Sequence, residues 1–357
     1  GALYDGTSPD GTCYEPDSIQ KVHQSYGRPY QLPNSTAHNE TCANIGNMLF
    51  NWRMLEVTGD AKYAELVETC LYNSILSGIS LDGKKYFYTN PLRISADLPY
   101  TLRWPKERTE YISCFCCPPN TLRTLCQAQN YAYTLGSEGI YCNLYGANTL
   151  TTNWRDKGEI ALTQKTAYPW EGNVRVEFDR VPRKAGAFSL FLRIPEWCEK
   201  AMLTVNGELV PVAAKANTYA EVKRTWKKGD VVEWVMDMPV RLLEAHPLAE
   251  EIRNQVVVKR GPLVYCLESM DMRGGGSIDN VLIPADIKLI PKKVTIEGSP
   301  VVALEGKARL ISSNSWEGIL SRPVSFAGKT VDIRLIPYYA WGNRGKGEMT
   351  VWMPLGR

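Results

Sequence analysis

The sequence predicts a multidomain protein that is helical in its first third and all-β thereafter. Three observations carry that expectation. Apolar residues recur at helical spacing from about residue 41 to 134; after about Gly136 they fall in short alternating runs; and a second set of such runs begins beyond about Glu250. The 357 residues suffice for two or three domains, and 44% hydrophobic content can build real cores. The expected division is at about residues 1–135, 136–250 and 251–357.

The first forty residues, rich in Gly, Pro, Ser and Asn, read as long loop. Ile45, Met48, Leu49, Trp52 and Leu55 then mark one face of a helix, which Gly59-Asp60 ends and restarts. Tyr63, Leu66, Val67, Cys70, Leu71 and Ile75 form the stripe of a second helix. Pro119-Asn120 opens a third, carrying Leu122, Leu125, Cys126 and Tyr131. Three or so helices cannot easily close a core, so the expectation is an incomplete helical domain whose other helices lie upstream in the full gene product. Runs such as Val174-Arg175-Val176-Glu177-Phe178 and Val231-Val232-Glu233-Trp234-Val235, with turns at Asn206-Gly207 and Lys228-Gly229-Asp230, predict a β-sandwich. Runs from Gln255-Val256-Val257-Val258 to Met349-Thr350-Val351-Trp352 predict a second all-β module.

Charge excludes several classes of partner. A net charge of +3 from 41 basic and 38 acidic residues is balanced and scattered, which argues against a nucleic-acid groove or polybasic membrane anchor. No run of roughly 18 apolar residues is present, and the N-terminus lacks the pattern of a signal peptide. The expected partner is a small or neutral molecule. Of ten cysteines, Cys13, Cys42, Cys70, Cys114, Cys116, Cys117 and Cys126 crowd into the first third, which favours metal binding or thiol chemistry over a disulfide scaffold. Cys142, Cys198 and Cys266 stand in apolar surroundings and read as buried thiols.

Two segments are chemically informative: His38-Asn39-Glu40-Thr41-Cys42-Ala43 and Cys114-Phe115-Cys116-Cys117-Pro118-Pro119-Asn120. Each precedes a helix. One carboxylate and three thiolates make a complete tetrahedral ligand set for zinc. Pro118 is expected to keep Cys117 out of the helical region, giving an irregular helix start at which adjacent side chains can converge. Spacing alone leaves three readings open: a structural zinc site, reduced buried cysteines, or a catalytic centre.

Resemblance narrows the choice. Leu32-Pro33-Asn34, Asn39-Glu40-Thr41-Cys42-Ala43-Asn44-Ile45-Gly46, Phe87-Tyr88-Thr89-Asn90-Pro91-Leu92 and Cys116-Cys117-Pro118-Pro119-Asn120 resemble glycoside hydrolase family 127, the bacterial β-L-arabinofuranosidases, and Arg260-Gly261-Pro262-Leu263-Val264-Tyr265 extends the likeness into the β part. The resemblance implies a partial (α/α)6 barrel followed by two β-sandwich domains. It implies one Zn2+ held by Glu40, Cys42, Cys116 and Cys117, an oligosaccharide or glycan substrate, and retaining exo-hydrolysis of a furanosidic sugar with Cys116 as nucleophile. Tyr88 matches a sugar-contacting tyrosine, and Glu40 adjoins the substrate. One position departs: the family's acid/base glutamate falls on Gln24, whose amide cannot donate the proton, and His23 and Glu15 are the nearest titratable groups. Another sugar of plant glycans, such as aceric acid, or a non-catalytic carbohydrate-binding protein with structural zinc, stands as the alternative. Bacterial periplasm and cytoplasm both suit such a centre.

The remaining features read blandly. Trp52 and Trp234 stand at core periods, Gly274-Gly275-Gly276 is a flexible loop, and His38 either orients Glu40 or bonds a loop. No Ser-His-Asp order or metalloprotease His pair occurs.

Overall fold

The computed structural model describes residues 29–35, 37–96, 105–112, 114–154, 157–311, 319–321, 323 and 327–356. Its helical part contains α1 (Thr41–Thr58), α2 (Ala61–Thr69) and, beyond the short β1 (Arg93–Ile94), α3 (Cys117–Gln127). Gly59 leaves α1 in left-handed backbone with φ 67°, its N–H on the Leu55 carbonyl, and the Asp60 side chain accepts from the Lys62 N–H to start α2. Ile45, Met48 and Leu55 are buried, and the first two share a core with Val67, Cys70, Leu71 and Ile75. After α2 the chain widens into a π-helical stretch, Cys70–Ile75, and tightens into a 3-10 turn, Leu76–Gly78.

The stripes expected on the helices are only partly buried. Leu49, Leu66 and Leu122 are exposed, as is Cys126, while α3 turns Thr121 and Thr124 inward. Periodicity identifies the apolar face of a helix, but the width of its cover depends on neighbouring elements. Among the described residues each helix is covered on one side only.

The middle part runs through β2 (Tyr133–Leu135), β3 (Gly139–Cys142), β4 (Asn148–Asn153), β5 (Glu159–Thr166), β6 (Asn173–Arg180), β7 (Phe188–Ile194), β8 (Ala201–Val205), β9 (Glu208–Val210), β10 (Thr218–Arg224) and β11 (Val231–Met236). Two sheets result, ordered β10-β7-β3-β2 and β4-β5-β6-β11-β8-β9. Alternation decides what lies between them: on β6, Val174, Val176 and Phe178 point into a core with Trp154, Phe188, Trp197 and Trp234. Asn206 and Gly207, at φ 54° and 84°, close the β8–β9 hairpin as the pair predicts. Cys142 and Cys198 are buried here, and Cys266 is buried further on.

The last part comprises β12 (Val240–Glu244), β13 (Gln255–Arg260), β14 (Leu263–Met272), β15 (Val281–Pro284), β16 (Ile290–Ile296), β17 (Ser299–Ile311), β18 (Gly328–Pro337), β19 (Met349–Thr350) and β20 (Met353–Gly356). β12 pairs with β13, so this sheet starts before residue 250. Where the sequence predicts a second sandwich, the pairings β13–β14, β14–β18, β18–β17, β17–β15, β15–β20 and β20–β13 return to their start. A register shift within β14 between Leu267 and Met272 accompanies its pairing with three neighbours. Val258, Tyr265, Leu267, Ile333 and Leu335 share one core, and Val257, Cys266, Ala303 and Ile336 face the other way.

That second face seats the helical part. Phe87 stacks on Trp341 with ring centroids 4.5 Å apart, and the Arg108 guanidinium lies 4.4 Å over Phe87 while donating to the Trp341 carbonyl at 2.9 Å. Asn73, from the π-helical stretch, donates to Pro262 O at 2.9 Å and accepts from the Val264 N–H at 2.8 Å. On β7 the fully buried Arg193 meets Glu65 at 2.6 Å and Glu68 at 2.7 Å, tying α2 to the middle part. These anchors hold the loop around Tyr88 against the ends of α1 and α3.

Candidate metal centre

The centre forms where two helices begin. Glu40 is the extended N-cap residue of α1, with φ −64° and ψ 137°, and its carboxylate does not cap the helix. Cys42 follows in the first turn. A short antiparallel bridge between Glu40 and Thr89 fixes this helix start, with the Thr41 N–H on Tyr88 O at 3.0 Å and the Asn90 N–H on Asn39 O at 3.1 Å. Thr41 in turn lies so close to Gly78 that a Cβ there would stand 2.7 Å from Thr41 Cγ2.

On the second helix Cys116 is the N-cap and Cys117 the first helical residue. Contrary to expectation, Pro118 does not keep Cys117 out of the helix, and Cys116 itself has helical φ and ψ of −76° and −47°. Pro118 and Pro119 instead occupy the first turn, where a missing N–H leaves no intrahelical bond unmade.

The two helix starts bring Glu40, Cys42, Cys116 and Cys117 together, with one donor atom from each within 4.8 Å of all the others. Cys42 Sγ lies 3.4 Å from Cys117 Sγ, and Cys116 Sγ 3.6 Å from Cys117 Sγ. Glu40 Oε1 lies 3.7 Å from Cys116 Sγ and 3.8 Å from Cys117 Sγ. A tetrahedron with zinc–sulfur bonds of about 2.3 Å and a zinc–oxygen bond of about 2.0 Å has S···S edges of about 3.8 Å and S···O edges of about 3.5 Å. The donor set therefore fits such an ion in chemistry and in dimension. All four cysteines of the second segment and its partner, Cys42, Cys114, Cys116 and Cys117, are free thiols.

Electrostatics point the same way. Burial pushes the Cys116 thiol up to about 11, and burial raises Cys117 further. Glu40 is held below the usual carboxylate value: burial opposes this, but the hydrogen bond and charge of His38 and the hydrogen bonds of Tyr88 and Cys116 prevail. His38 Nε2 stands 3.2 Å from Glu40 Oε2, the orienting contact that the sequence left open. Burial thus keeps Cys116 and Cys117 protonated unless a cation stands beside them.

Tyr88 is buried beside them, with its hydroxyl 3.4 Å from Cys116 Sγ. Gln24, His23 and Glu15 lie outside the described residues. Three neighbours received no role from the sequence. Cys114 Sγ lies 3.8 Å from Cys116 Sγ; Asn120 Nδ2 lies 3.1 Å from Cys42 Sγ; and Arg123 donates to Asn120 Oδ1. Only the i, i+3 spacing of Asn120 and Arg123 signals this relay in the sequence.

Comparison with known proteins gives the class first. Residues 12–130 match the catalytic domain of the β-L-arabinofuranosidases of glycoside hydrolase family 127, residues 139–238 the family's middle domain, and residues 240–354 its C-terminal domain. These matches run in order along nearly the whole chain, which belongs to glycoside hydrolase family 127. Over 345 residues it is 31% identical to a non-reducing end β-L-arabinofuranosidase of Bifidobacterium longum subsp. longum, covering 93% of this chain and 51% of the relative. The chain thus spans about half the length of this curated relative. A solved glycoside hydrolase superposes with a TM-score of 0.94 at 88% identity, over 100% of this chain and 59% of that one. Ara127N-Se, described as a GH127 β-L-arabinofuranosidase from Geobacillus stearothermophilus T6, superposes at 0.84 with 37% identity, over 94% and 53% respectively.

Proposed function

We propose that the chain carries the centre of a retaining exo-glycosidase that releases terminal β-L-arabinofuranose from plant-derived glycans, with Glu40, Cys42, Cys116 and Cys117 holding zinc. The observation that carries this reading is the convergence of one carboxylate and three thiols, with the Tyr88 hydroxyl 3.4 Å from Cys116 Sγ. A bound zinc ion supplies the charge that keeps the thiols ionised at neutral pH. The names of the matched relatives support the choice of sugar.

Cys116 is the nucleophile in this reading. Cys117 is 1% exposed, whereas Cys116 is half-buried at the helix end and within reach of a substrate beside Tyr88. As its sulfur bonds the anomeric carbon, the glycosidic C–O bond breaks and the leaving oxygen takes a proton. Water then displaces the sulfur and frees the sugar with its configuration retained. Tyr88 O–H is placed to trade its contact with Cys116 for one with a sugar hydroxyl. Gln24 has no proton to give, so the leaving oxygen draws its proton from another group.

The same reading divides the chain at 1–135, 136–250 and 251–357, and takes the first part as the C-terminal portion of an (α/α)6 barrel. The outward faces of α1 to α3, with Leu49, Phe50, Val57, Leu66 and Leu122 exposed, support it, since paired barrel helices cover such faces. Gln24 favours a second reading, in which the substrate is another sugar such as aceric acid or the protein binds glycan around a structural zinc.

The test is Cys116→Ser. The variant is expected to fold and to lose at least about 10³ in kcat/KM on β-L-arabinofuranosides, a loss in the range seen on removing a nucleophile. Full activity in that variant overturns the assignment. Binding without turnover across arabinosides and pectic fragments, with zinc verified by elemental analysis, favours the second reading.

A further inference from the structure

The sulfurs of the centre receive unequal hydrogen bonds. Asn120, in the first turn of α3, brings Nδ2 to 3.1 Å from Cys42 Sγ, shorter than the contacts that the other described groups make to the cluster's sulfurs. A side-chain amide can turn either its oxygen or its NH2 toward a neighbour. Arg123, one turn on and solvent-exposed, settles the choice: its Nη1 donates to Asn120 Oδ1, so the NH2 faces the sulfur. Cys117 also has an N–H partner, from the Cys42 backbone. Among the described residues Cys116 has the Tyr88 hydroxyl at 3.4 Å and no N–H partner.

A charge-assisted N–H···S bond draws electron density from a thiolate and makes it a poorer nucleophile. We propose that Asn120, fixed by Arg123, is a positioning residue that holds Cys42 as a permanent, unreactive ligand and so leaves reactivity in the metal-loaded centre to Cys116. This rests on the functional reading above. It adds that the reacting sulfur is selected by where the N–H donors stand, and that the selection is made by α3 residues outside the ligand set.

Limiting iodoacetamide on the zinc-loaded chain, with each cysteine quantified by mass spectrometry, tests it. In the wild type Cys116 is alkylated first and Cys42 is protected. Asn120→Ala is expected to raise the Cys42 rate about ten-fold, the factor one hydrogen bond to a charged group supplies, and to change Cys116 by less than about two-fold. Arg123→Ala, on an exposed helical position, frees the amide to turn and gives a smaller rise, which Arg123→Lys reverses. In cobalt-loaded protein the thiolate-to-metal absorption moves to longer wavelength in Asn120→Ala. An unchanged Cys42 rate in both Asn120→Ala and Arg123→Ala, with metal retained, overturns the assignment. Should Asn120→Ala lose its metal, the Arg123→Ala rate decides alone. A wild-type chain that binds no zinc overturns the functional reading itself, a result distinct from the first.

Discussion

In the proposed reading Gln24 stands where the family resemblance implies an acid/base glutamate, and that assignment converts directly into a measurement. A nucleophile can expel a nitrophenolate unaided, but an alkoxide leaving group needs a proton, and general acid catalysis contributes roughly 10² to 10⁴. Gln24→Glu is therefore expected to raise kcat/KM on arabinosyl oligosaccharides by about 10² or more, while turnover of a nitrophenyl arabinofuranoside changes by less than about five-fold. An unchanged ratio between the two substrates places the proton donor elsewhere. The cluster itself was legible beforehand: spacing alone left structural zinc, reduced cysteines and a catalytic centre open, the family motifs singled out Glu40, Cys42, Cys116 and Cys117, and the structure brings these four together. Asn120 was not legible in the same way, since an asparagine in the first turn of a helix is ordinary, and its task depends on a sulfur 78 positions away.

At the scale of elements, the break between α1 and α2 was readable because glycine in left-handed backbone and aspartate as a cap are local devices. The π-helical stretch that follows was not, because the contacts made from it, Asn73 to the backbone of Pro262 and Val264, involve residues far along the chain. The inward threonines of α3 were missed for a related reason: Thr121 faces the turn at Leu76–Gly78, its Oγ1 3.4 Å from where a Cβ on Gly78 would stand, a contact set by a residue far away in the chain. That turn offers a test of how the start of α1 holds the ligands. Gly78 has no room for a methyl group, with Thr41 Cγ2 at 2.7 Å and Thr41 Oγ1 at 3.1 Å from its place. Thr41 stands between Glu40 and Cys42, so Gly78→Ala must displace the Thr41 side chain, and the displacement is expected to reach both neighbours. The expected result is a loss of about 1–3 kcal/mol in stability and a fall of about ten-fold or more in zinc affinity, read by chelator competition. Wild-type zinc affinity in that variant means that the Thr41 contact does not position the centre.

Across the whole molecule, the helical part is joined to both β parts by buried polar anchors as well as apolar contacts, and Arg193 is the most deeply buried charge among them. Its guanidinium is fully buried, donates to the Asn143 carbonyl at 2.5 Å and meets two carboxylates, Glu65 and Glu68. Burial raises the Glu68 carboxyl above its ordinary 4.5 although Arg193 pulls the other way, so this site already strains against a second negative charge. Replacing the cation alone leaves two carboxylates without a counter-ion, and Arg193→Met is expected to cost about 3–5 kcal/mol near neutral pH. The pH dependence has a definite sign. In the variant Glu68 must fold uncharged, so its folded value rises further above the unfolded one; the penalty is absent below the unfolded value and grows as pH increases. Calorimetry should therefore show the deficit of Arg193→Met relative to wild type shrinking between about pH 8 and pH 5, and adding Glu68→Gln should flatten most of that dependence. A deficit that stays constant with pH, or widens on acidification, shows that Arg193 serves packing and that the joint between α2 and β7 does not depend on its charge.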